Sequence, residues 1–186
     1  MLSKDVLKKA VANVRSVSPL VHNITNFVVM NNTANALLAI GASPVMAHSI
    51  DEVADMASIA SSLVLNIGTL EKAWVDSMLV AGKAAMARNI PIVFDPVGAG
   101  ATPYRLQVCL KMLAEVKLSI IRGNASEIMA LAKAGTRTKG VDSTASSDEA
   151  LSYATELSKE TGAVVVVSGA VDVVTDGERV ERIPYG

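Results

Sequence analysis

Short runs of apolar residues alternate along the chain with longer segments in which apolar residues recur every three or four positions. Apolar runs bounded by turn residues are typical of buried strands, and the longer spacing is typical of helices that bury one face. The predicted strands cover 19–21, 44–47, 62–68, 90–94, 118–121 and 163–167, and a hairpin covers 171–180. The predicted helices comprise one that carries Leu7, Val11 and Val14, one that follows residue 49, and others over 32–40, 70–88, 103–116, 127–133 and 147–160.

The regular alternation of strand and helix predicts the fold class. Strands separated by helices form right-handed βαβ units, which place the strands in a mostly parallel sheet with helices packed against it. A chain of 186 residues fits one domain of this kind. We therefore predict a single α/β domain over residues 1–186, a three-layer sandwich around a mostly parallel central sheet.

Local signals refine the element boundaries. Thr102, followed by a proline, has the residue type of a helix N-cap. Ser49 and Glu52 fit an S-x-x-E capping box at the start of another helix. The Asp-Gly dipeptide at 176–177 predicts the turn of the last hairpin. The polar stretch 135–146, rich in Gly, Thr and Ser, predicts a mobile loop.

Composition and charge exclude several classes of protein. Hydrophobic residues make up 51% of the chain and charged residues 19%, which excludes a disordered protein. The net charge of -1 gives no electrostatic reason to expect nucleic acid or an acidic membrane as a partner. No apolar run reaches the ~20 residues of a membrane helix, and the N-terminus lacks the apolar core of a signal peptide. We predict a cytoplasmic protein.

The single cysteine, Cys109, cannot form an internal disulfide, and the chain has no CxxC spacing. It lies in an apolar helical stretch with Leu106, Leu110 and Leu113. Because a free cysteine behaves as a small hydrophobic residue, we interpret Cys109 as a core residue.

Polar residues and glycines gather directly after the predicted strands. In open α/β sheets, ligands bind beyond the carboxyl ends of the strands, and those ends share one edge of the sheet. The segments at this edge are 22–26, Met46, 66–69, 95–102, 122–127 and 168–170. We therefore expect them to converge on one site, where Gly98 and Gly100 let the backbone approach a ligand closely.

Local spacing leaves the roles of the charged residues in these segments open. Asp95, which precedes Pro96, is either a carboxylate facing a ligand or part of an ordinary Asp-Pro turn. Asn124 and Glu127 have the spacing of a capping box, but a carboxylate at a helix start can also hold Mg²⁺ on nucleotide phosphates through water. Arg122 suits bidentate phosphate contact, or it is a solvated cation at a strand end. The chain contains no GxxxxGK(S/T) phosphate-binding loop.

Three longer strings stand out in the chain: SPLVHNITN covers 18–26, FDPVGAGAT covers 94–102 and RGNASEI covers 122–128. Together they resemble the hydroxyethylthiazole kinase family. They occur in the order and at the spacing of that family, and the resemblance extends from the N-terminus to the final hairpin. It implies a ribokinase-like fold and transfer of the γ-phosphate of ATP to the hydroxyl of 4-methyl-5-(2-hydroxyethyl)thiazole, a step of thiamine salvage.

The resemblance also implies roles for individual residues in binding the thiazole, ATP and Mg²⁺. The matching positions are Met46, Asn26 and Gly68 for the thiazole, Arg122 and Ser168 for ATP, and Asp95 and Glu127 for Mg²⁺. The resemblance further implies a homotrimer with the active site between neighbouring subunits.

The family pattern continues beyond the last residue of this sequence. Members place a Gly-rich turn and a helix N-terminus after the hairpin, where backbone N–H groups stabilise the transferring phosphoryl group. A Cys or Asp in that turn serves as the catalytic base. The sequence stops at Gly186, so we expect it to correspond to about the N-terminal two thirds of the family's fold. The predicted ribokinase-like fold is thus C-terminally incomplete. We expect the base to lie beyond Gly186, because no residue of this chain fills that role; Cys109 lies too early, in mid-helix.

Two consequences are expected of a chain limited to these 186 residues. Phosphoryl transfer should be severely reduced, because it depends on positioning and charge stabilisation. One face of the sheet should be left partly uncovered, so that the chain is poorly soluble or depends on oligomer contacts.

Three other functions remain open. An ATP-dependent dehydratase of hydrated NAD(P)H shares the ribokinase-like fold, but the SPLVHNITN string favours the thiazole kinase. A non-catalytic remnant that binds nucleotide and thiazole is the alternative if the natural protein ends at Gly186. A dinucleotide oxidoreductase has only the general α/β architecture in its favour.

Overall fold

The computed structural model describes residues 3–136 and 149–184, which form eight strands and seven helices. The strands are β1 Leu20–Ile24, β2 Ser43–Val45, β3 Ser62–Asn66, β4 Ile92–Asp95, β5 Ile120–Asn124, β6 Val164–Ser168, β7 Asp172–Thr175 and β8 Val180–Ile183. The helices are α1 Lys4–Val17, α2 Met30–Ile40, α3 Val53–Ile59, α4 Lys72–Ala87, α5 Pro103–Glu115, α6 Ala125–Thr136 and α7 Leu151–Thr161.

All eight strands belong to one sheet, in the order β2-β1-β3-β4-β5-β6-β7-β8. The pairs from β2 to β6 are parallel, and β7 and β8 are added antiparallel at one end. This arrangement confirms the prediction of a mostly parallel α/β sheet. It also brings the carboxyl ends of β1 to β6 to one edge, where the polar segments of the sequence were expected to meet.

The helices cover the sheet unevenly. Successive helices from α3 to α7 contact one another in a row, whereas α1 and α2 form a separate group that contacts β2. Along β3, Leu63 and Leu65 are buried in the core with helix residues such as Met78, and Val64 between them is partly exposed. The same alternation along β4 to β7 follows from the period of two in a strand. One face of the central strands is therefore core, and the other carries partly exposed side chains.

Two of the local signals mark their elements correctly. The Thr102 hydroxyl accepts a hydrogen bond from the Arg105 backbone N–H at 3.2 Å, as an N-cap of α5 should. Strands β7 and β8 form the predicted hairpin, and Gly177 in its turn has φ of +90°, a conformation that favours glycine.

The predicted capping box of Ser49 and Glu52 is wrong. The Ser49 carbonyl accepts the backbone N–H groups of Glu52 and Val53, and the Ser49 hydroxyl accepts from the N–H of Asp51. These bonds close a turn over residues 49–52, so α3 begins only at Val53 and the Glu52 side chain makes no capping hydrogen bond. Ser49 and Glu52 therefore belong to a turn that precedes α3, and they do not form a capping box.

The polar stretch 135–146 differs in part from its prediction. Residues 135–136 belong to α6, and the remainder of the predicted loop lies outside the described residues, as does the predicted start of the next helix at 147. In the described part, that helix begins at Leu151 and ends before Gly162, whose φ of +72° suits a C-cap glycine.

The interpretation of Cys109 as a core residue is confirmed. The thiol is buried within α5, and burial raises its pKa to about 12. Over residues 3–136 and 149–184, no helix has both the length and the apolar character needed to cross a membrane.

One arginine joins two loops at the carboxyl edge of the sheet. The guanidinium of Arg105, in the first turn of α5, donates to the carbonyls of Ile67 and Val97 at 2.8 Å and to that of Gly68 at 3.0 Å. The carbonyls of Ile67 and Gly68 lie in the loop after β3, and the carbonyl of Val97 lies in the loop after β4. A planar guanidinium has the several fixed donors that such a bridge requires, and an ammonium group does not. Arg105 therefore fixes the separation of the two loops.

Replacing Arg105 with methionine should lower the free energy of unfolding by about 2–3 kcal/mol, because partly buried carbonyl oxygens lose a charged donor. The free energy of unfolding of Arg105→Lys should lie between those of Arg105→Met and the unaltered protein, since one ammonium group cannot span both loops. Urea denaturation followed by circular dichroism measures the differences.

The matched control for this experiment is Arg88→Met, at the exposed end of α4. It should change the free energy of unfolding by no more than about 0.5 kcal/mol. Equal stability of the Arg105→Met and Arg88→Met proteins would show that the bridge does not stabilise the fold.

Candidate functional site

A cleft of about 490 Å³ opens at the carboxyl ends of β1, β3, β4 and β5. Four of the residues implicated by the family resemblance line it, namely Asn26, Gly68, Asp95 and Arg122. The full lining is Thr25, Asn26, Val28, Val29, Thr33, Val64, Asn66, Gly68, Asp95, Val97 and Arg122. The cleft thus has apolar valines on its walls and amide, carboxylate and guanidinium groups at one side, a composition that suits a small organic ligand.

Strand register places three polar side chains side by side in this cleft. Asn66 and Asp95 are partners in the β3–β4 ladder, and Phe94 and Ile121 are partners in the β4–β5 ladder, so Arg122 comes next to Asp95. The Asn66 amide Nδ2 donates to Asp95 Oδ2 at 2.8 Å, and Arg122 Nη1 lies 3.9 Å from the same oxygen. Neighbouring strands therefore supply an amide, a carboxylate and a cation on one face of the sheet.

The side chain of Asn26 has a fixed orientation. Its Oδ1 accepts the backbone N–H groups of Val28 and Val29 at 3.0 and 3.1 Å, and its Nδ2 donates to Asn66 Oδ1 at 2.7 Å. The residue is nearly buried. Because the two backbone donors require an oxygen, the amide cannot be turned over. Asn26 therefore presents an N–H group, and no oxygen, toward Asn66.

Gly68 is needed at its position for a steric reason. A Cβ atom built there would lie 2.7 Å from Asn26 Cγ, closer than side chains approach. The Gly68 N–H donates to Asn66 Oδ1 at 2.9 Å, which holds the backbone against the Asn26 amide. The absence of a side chain at Gly68 thus lets Asn26 occupy the cleft.

The carboxyl group of Asp95 is partly buried, and its pKa is raised to about 6. Burial, which disfavours the charged form, is the main cause, and the negative charge of Glu127 adds to it. The Arg122 guanidinium and the hydrogen bond from Asn66 oppose the rise. A cation near Asp95 therefore stabilises the charged form of this carboxylate.

Glu127 ties the turn after β4 to the start of α6. Its Oε1 accepts the Gly98 N–H and its Oε2 accepts the Asn124 N–H, both at 2.8 Å. Asn124 Oδ1 in turn accepts the N–H of Glu127 at 3.0 Å, which confirms the capping box. Gly98 and Gly100 have φ of +72° and +87°, so glycine is required there by the turn itself.

The acidic residues with the chemistry to hold Mg²⁺ at this edge of the sheet are Asp95 and Glu127. In the described ranges 3–136 and 149–184, no three acidic, His or Cys side chains come together as a ready-made metal site. Mg²⁺ in phosphate-transferring sites usually takes one or two carboxylates and completes its shell with waters and phosphate oxygens. The donor set fits that pattern, because Asp95 carries a carboxylate destabilised by burial, and Glu127 is close enough to affect it.

Met46 and Ser168 lie at the same edge of the sheet but do not line the cleft. Met46 follows β2 and is half-buried. Ser168, at the end of β6, pairs with Asn124 in the ladder, and its hydroxyl donates to the Gly123 carbonyl at 3.3 Å. The structure therefore groups Asn26, Gly68, Asp95 and Arg122 in one cleft and leaves Met46 outside its lining, after β2, with Ser168 beside the capping box of Glu127.

Three residues that organise the site had no predicted role, namely Asn66, Arg105 and His22. Asn66 lay within a polar segment after a strand, and this position was its only signal. His22 is fully buried, its Nε2–H donates to the Ala47 carbonyl at 2.7 Å, and burial lowers its pKa. This bond ties β1 to the segment after β2 that carries Met46. A histidine inside an apolar strand was the signal that could have identified it.

The raised pKa of Asp95 predicts a pH-dependent stability. The folded-state pKa of about 6 lies above the ordinary value of 3.8, so the folded protein binds the proton more tightly than the unfolded chain. This contribution is present below about pH 4 and is lost as the pH rises to 6. The free energy of unfolding of Asp95→Asn should therefore exceed that of the unaltered protein at pH 7. This excess should be about 1–2 kcal/mol larger at pH 7 than at pH 4.

Urea denaturation at each pH, in EDTA so that no metal binds, measures this difference. Asp51→Asn, in an exposed turn, is the control. A difference between the Asp95→Asn and unaltered proteins that is the same at pH 4 and pH 7 would contradict the assigned effect of burial.

Curated proteins similar to this chain are named hydroxyethylthiazole kinase. One from Nitratidesulfovibrio vulgaris (strain DP4) is 58% identical over 178 residues, which is 96% of this chain and 67% of the relative. Another, from Oleidesulfovibrio alaskensis, is 60% identical over 168 residues, 90% of this chain and 63% of the relative. The chain therefore spans about two thirds of the length of the relatives that it matches.

The fold agrees with these relatives. The structure of a hydroxyethylthiazole kinase protein from Pyrococcus horikoshii OT3 has a TM-score of 0.85 and 45% identity, and the match covers 95% of this chain and 65% of that one. Adenosine kinases superpose more loosely and confirm only the ribokinase-like fold. The sequence model of the hydroxyethylthiazole kinase family matches residues 11–186. This chain is a member of the hydroxyethylthiazole kinase family.

Proposed function

We propose that the protein transfers the γ-phosphate of ATP to the hydroxyl of 4-methyl-5-(2-hydroxyethyl)thiazole, as the names of its relatives suggest. One observation carries the proposal beyond the family name. Two of the residues expected to contact the alcohol, Asn26 and Gly68, and two of those expected to face phosphate and metal, Arg122 and Asp95, line one cleft. An alcohol bound beside the valines would thus lie next to the charged groups that phosphoryl transfer requires.

Each charged residue of the cleft has a part in this proposal. Arg122, half-exposed in the middle of β5, can donate to phosphate oxygens with its planar guanidinium. Asp95 and Glu127 would hold Mg²⁺, which neutralises charge on the phosphates when it is bound. Asn26 would orient the thiazole alcohol with its amide, and Ser168 would contact ATP at the end of β6. Met46 would contact the thiazole from the segment after β2.

The catalytic base is not supplied by Cys109. Its thiol is buried in α5, and burial raises its pKa to about 12, so the thiol stays protonated near neutral pH and cannot accept the substrate proton. The base remains predicted in the segment that follows the hairpin in the family. In this proposal the residues described above supply the alcohol, nucleotide and metal contacts.

The dehydratase of the same fold is the second candidate. It would use the same nucleotide and metal groups but would have to admit a dinucleotide in place of a small alcohol. A cleft of about 490 Å³ walled by valines favours the smaller substrate.

A kinase assay on the full-length natural protein tests the proposal. With ATP, Mg²⁺ and the thiazole alcohol, a coupled assay should detect formation of ADP, and mass spectrometry should detect the phosphorylated alcohol. Arg122→Ala should lower kcat/KM for ATP by about 10–100-fold, because a charged hydrogen bond to phosphate is lost. Arg88→Ala, at the other edge of the sheet, is the matched control and should leave the constant unchanged.

Two results would count against the assignment. Turnover of hydrated NADH with no turnover of the thiazole alcohol would support the dehydratase. Binding of the alcohol and ATP by the full-length natural protein, without any product, would support a non-catalytic role.

We further propose that the protein assembles as a homotrimer and that the apolar stripe of α1 lies in the contact between copies. The helix was expected to bury Leu7, Val11 and Val14, but no residue of α1 is buried in the single chain. The exposed fraction of Leu7 is 53% and that of Val11 is 41%. An apolar stripe exposed to this extent is typical of a surface that another protein covers.

Sedimentation equilibrium of the full-length natural protein tests this assembly. The unaltered protein should sediment with three times the monomer mass. The double replacement Leu7→Ser and Val11→Ser should shift it toward smaller species, because each buried aliphatic side chain contributes about 1.5–3 kcal/mol. The control is Lys9→Ser with Asn13→Ser, on the opposite side of α1. A monomeric unaltered protein, or a double variant that remains a trimer, would contradict the proposal.

A further inference from the structure

A single buried amide, that of Asn66, contacts both halves of the cleft. Its exposed fraction is 7%. Its Oδ1 accepts from Asn26 Nδ2 at 2.7 Å and from the Gly68 N–H at 2.9 Å, and its Nδ2 donates to Asp95 Oδ2 at 2.8 Å. Asn66 is therefore hydrogen-bonded to two of the three residues expected to contact the alcohol, Asn26 and Gly68, and to Asp95, one of the two expected to hold the metal.

The direction of these bonds is fixed by the backbone. Asn26 Oδ1 accepts two backbone N–H groups, so Asn26 must donate through Nδ2. Asn66 must then accept at Oδ1, and only its Nδ2 can face Asp95. The Gly68 N–H enforces the same orientation independently. The chain of donors thus runs one way, from the backbone after β1, through two amides, to the carboxylate after β4.

We propose that Asn66 is a positioning residue that couples two parts of the cleft: the alcohol subsite, at Asn26 and Gly68, and the metal and phosphate subsite, at Asp95 and Arg122. The inference rests on the proposed kinase function, because that function assigns the alcohol to one subsite and the metal and phosphate to the other. An alcohol that binds to Asn26 adds a polar partner to that amide, and the hydrogen bonds from Asn26 to Asn66 at 2.7 Å and from Asn66 to Asp95 at 2.8 Å connect this contact with the carboxylate, since bonds in such a chain polarise one another. By reciprocity, a metal and nucleotide held at Asp95 tighten the binding of the alcohol by the same factor.

Only asparagine meets the requirements of this position. The side chain needs an acceptor for two donors and a donor for the carboxylate, at the reach of a short amide. Aspartate keeps the acceptor but has no donor, and it would bring a second carboxylate against Asp95. Glutamine has both groups but is one methylene longer, which the close contacts at 2.7 to 2.9 Å do not accommodate. Alanine removes both sides of the link.

The test measures the coupling itself, in the full-length natural protein. Isothermal titration gives Kd for 4-methyl-5-(2-hydroxyethyl)thiazole, first alone and then with Mg²⁺ and a non-hydrolysable ATP analogue. In the unaltered protein the second Kd should be lower by about fivefold or more. In Asn66→Ala the ratio of the two constants should fall below about twofold.

Asn66→Asp separates the two sides of the link. Because aspartate still accepts from Asn26 and Gly68, Kd for the alcohol alone should stay within about threefold of the unaltered value, while the ratio of the constants falls as in Asn66→Ala. The matched control is Asn35→Ala with Asn35→Asp: Asn35 on α2 bonds to Asn31 through exposed amides. Both control proteins should keep the ratio of the unaltered protein. Thermal unfolding verifies that every variant is folded.

A purely structural role for Asn66 would weaken both constants in proportion and leave their ratio unchanged, and that result would overturn the inference. An unaltered protein that binds the alcohol equally well with and without the nucleotide would also overturn it. A failure of the proposed function looks different, since the unaltered protein would then either not bind the alcohol or bind it without forming the phosphorylated product in the kinase assay. If Asn66→Ala does not fold, the ratio in Asn66→Asp decides.

Discussion

The hydrogen bond between Asn66 and Asp95, across β3 and β4, is the contact on which the candidate site depends. It exists because the two strands pair in parallel with these residues as partners, so a shift of one position would send one of the side chains to the opposite face of the sheet. The buried residues Leu65 and Phe94, which precede them as partners, hold that register from the core. Packing on one face of the sheet thus sets the chemistry on the other.

Much of this arrangement follows from the sequence, but not its lateral contacts. Asp95 was placed at a strand end by an apolar run and a following proline, and Thr102 was recognised as an N-cap by residue type. The contacts of Asn66 and Arg105 join segments about 30 to 40 positions apart. Nothing in the local pattern specifies which strands are neighbours, so such contacts become visible only when the strand order is known.

Local patterns also failed where two uses of the same residues compete. Ser49 and Glu52 have the capping-box types, but hydrogen bonds to the Ser49 carbonyl form a turn instead. At Asn124 and Glu127 the same kind of pattern is realised, and Glu127 in addition holds Gly98. The difference arises from what lies next to each helix start: β5 runs directly into α6, whereas α3 is preceded by a turn. Spacing is therefore informative only together with the strand that delivers it.

The contact between Gly68 and Asn26 has a consequence for variation within the family. Since any side chain at position 68 would overlap the amide of position 26, the two positions form one unit of substitution. A larger residue at 68 requires a smaller or displaced residue at 26, and the change would also remove the donor that orients Asn66. A sequence that carries a side chain at position 68 should therefore also differ at position 26, whereas a smaller residue at position 26 alone leaves the glycine in place.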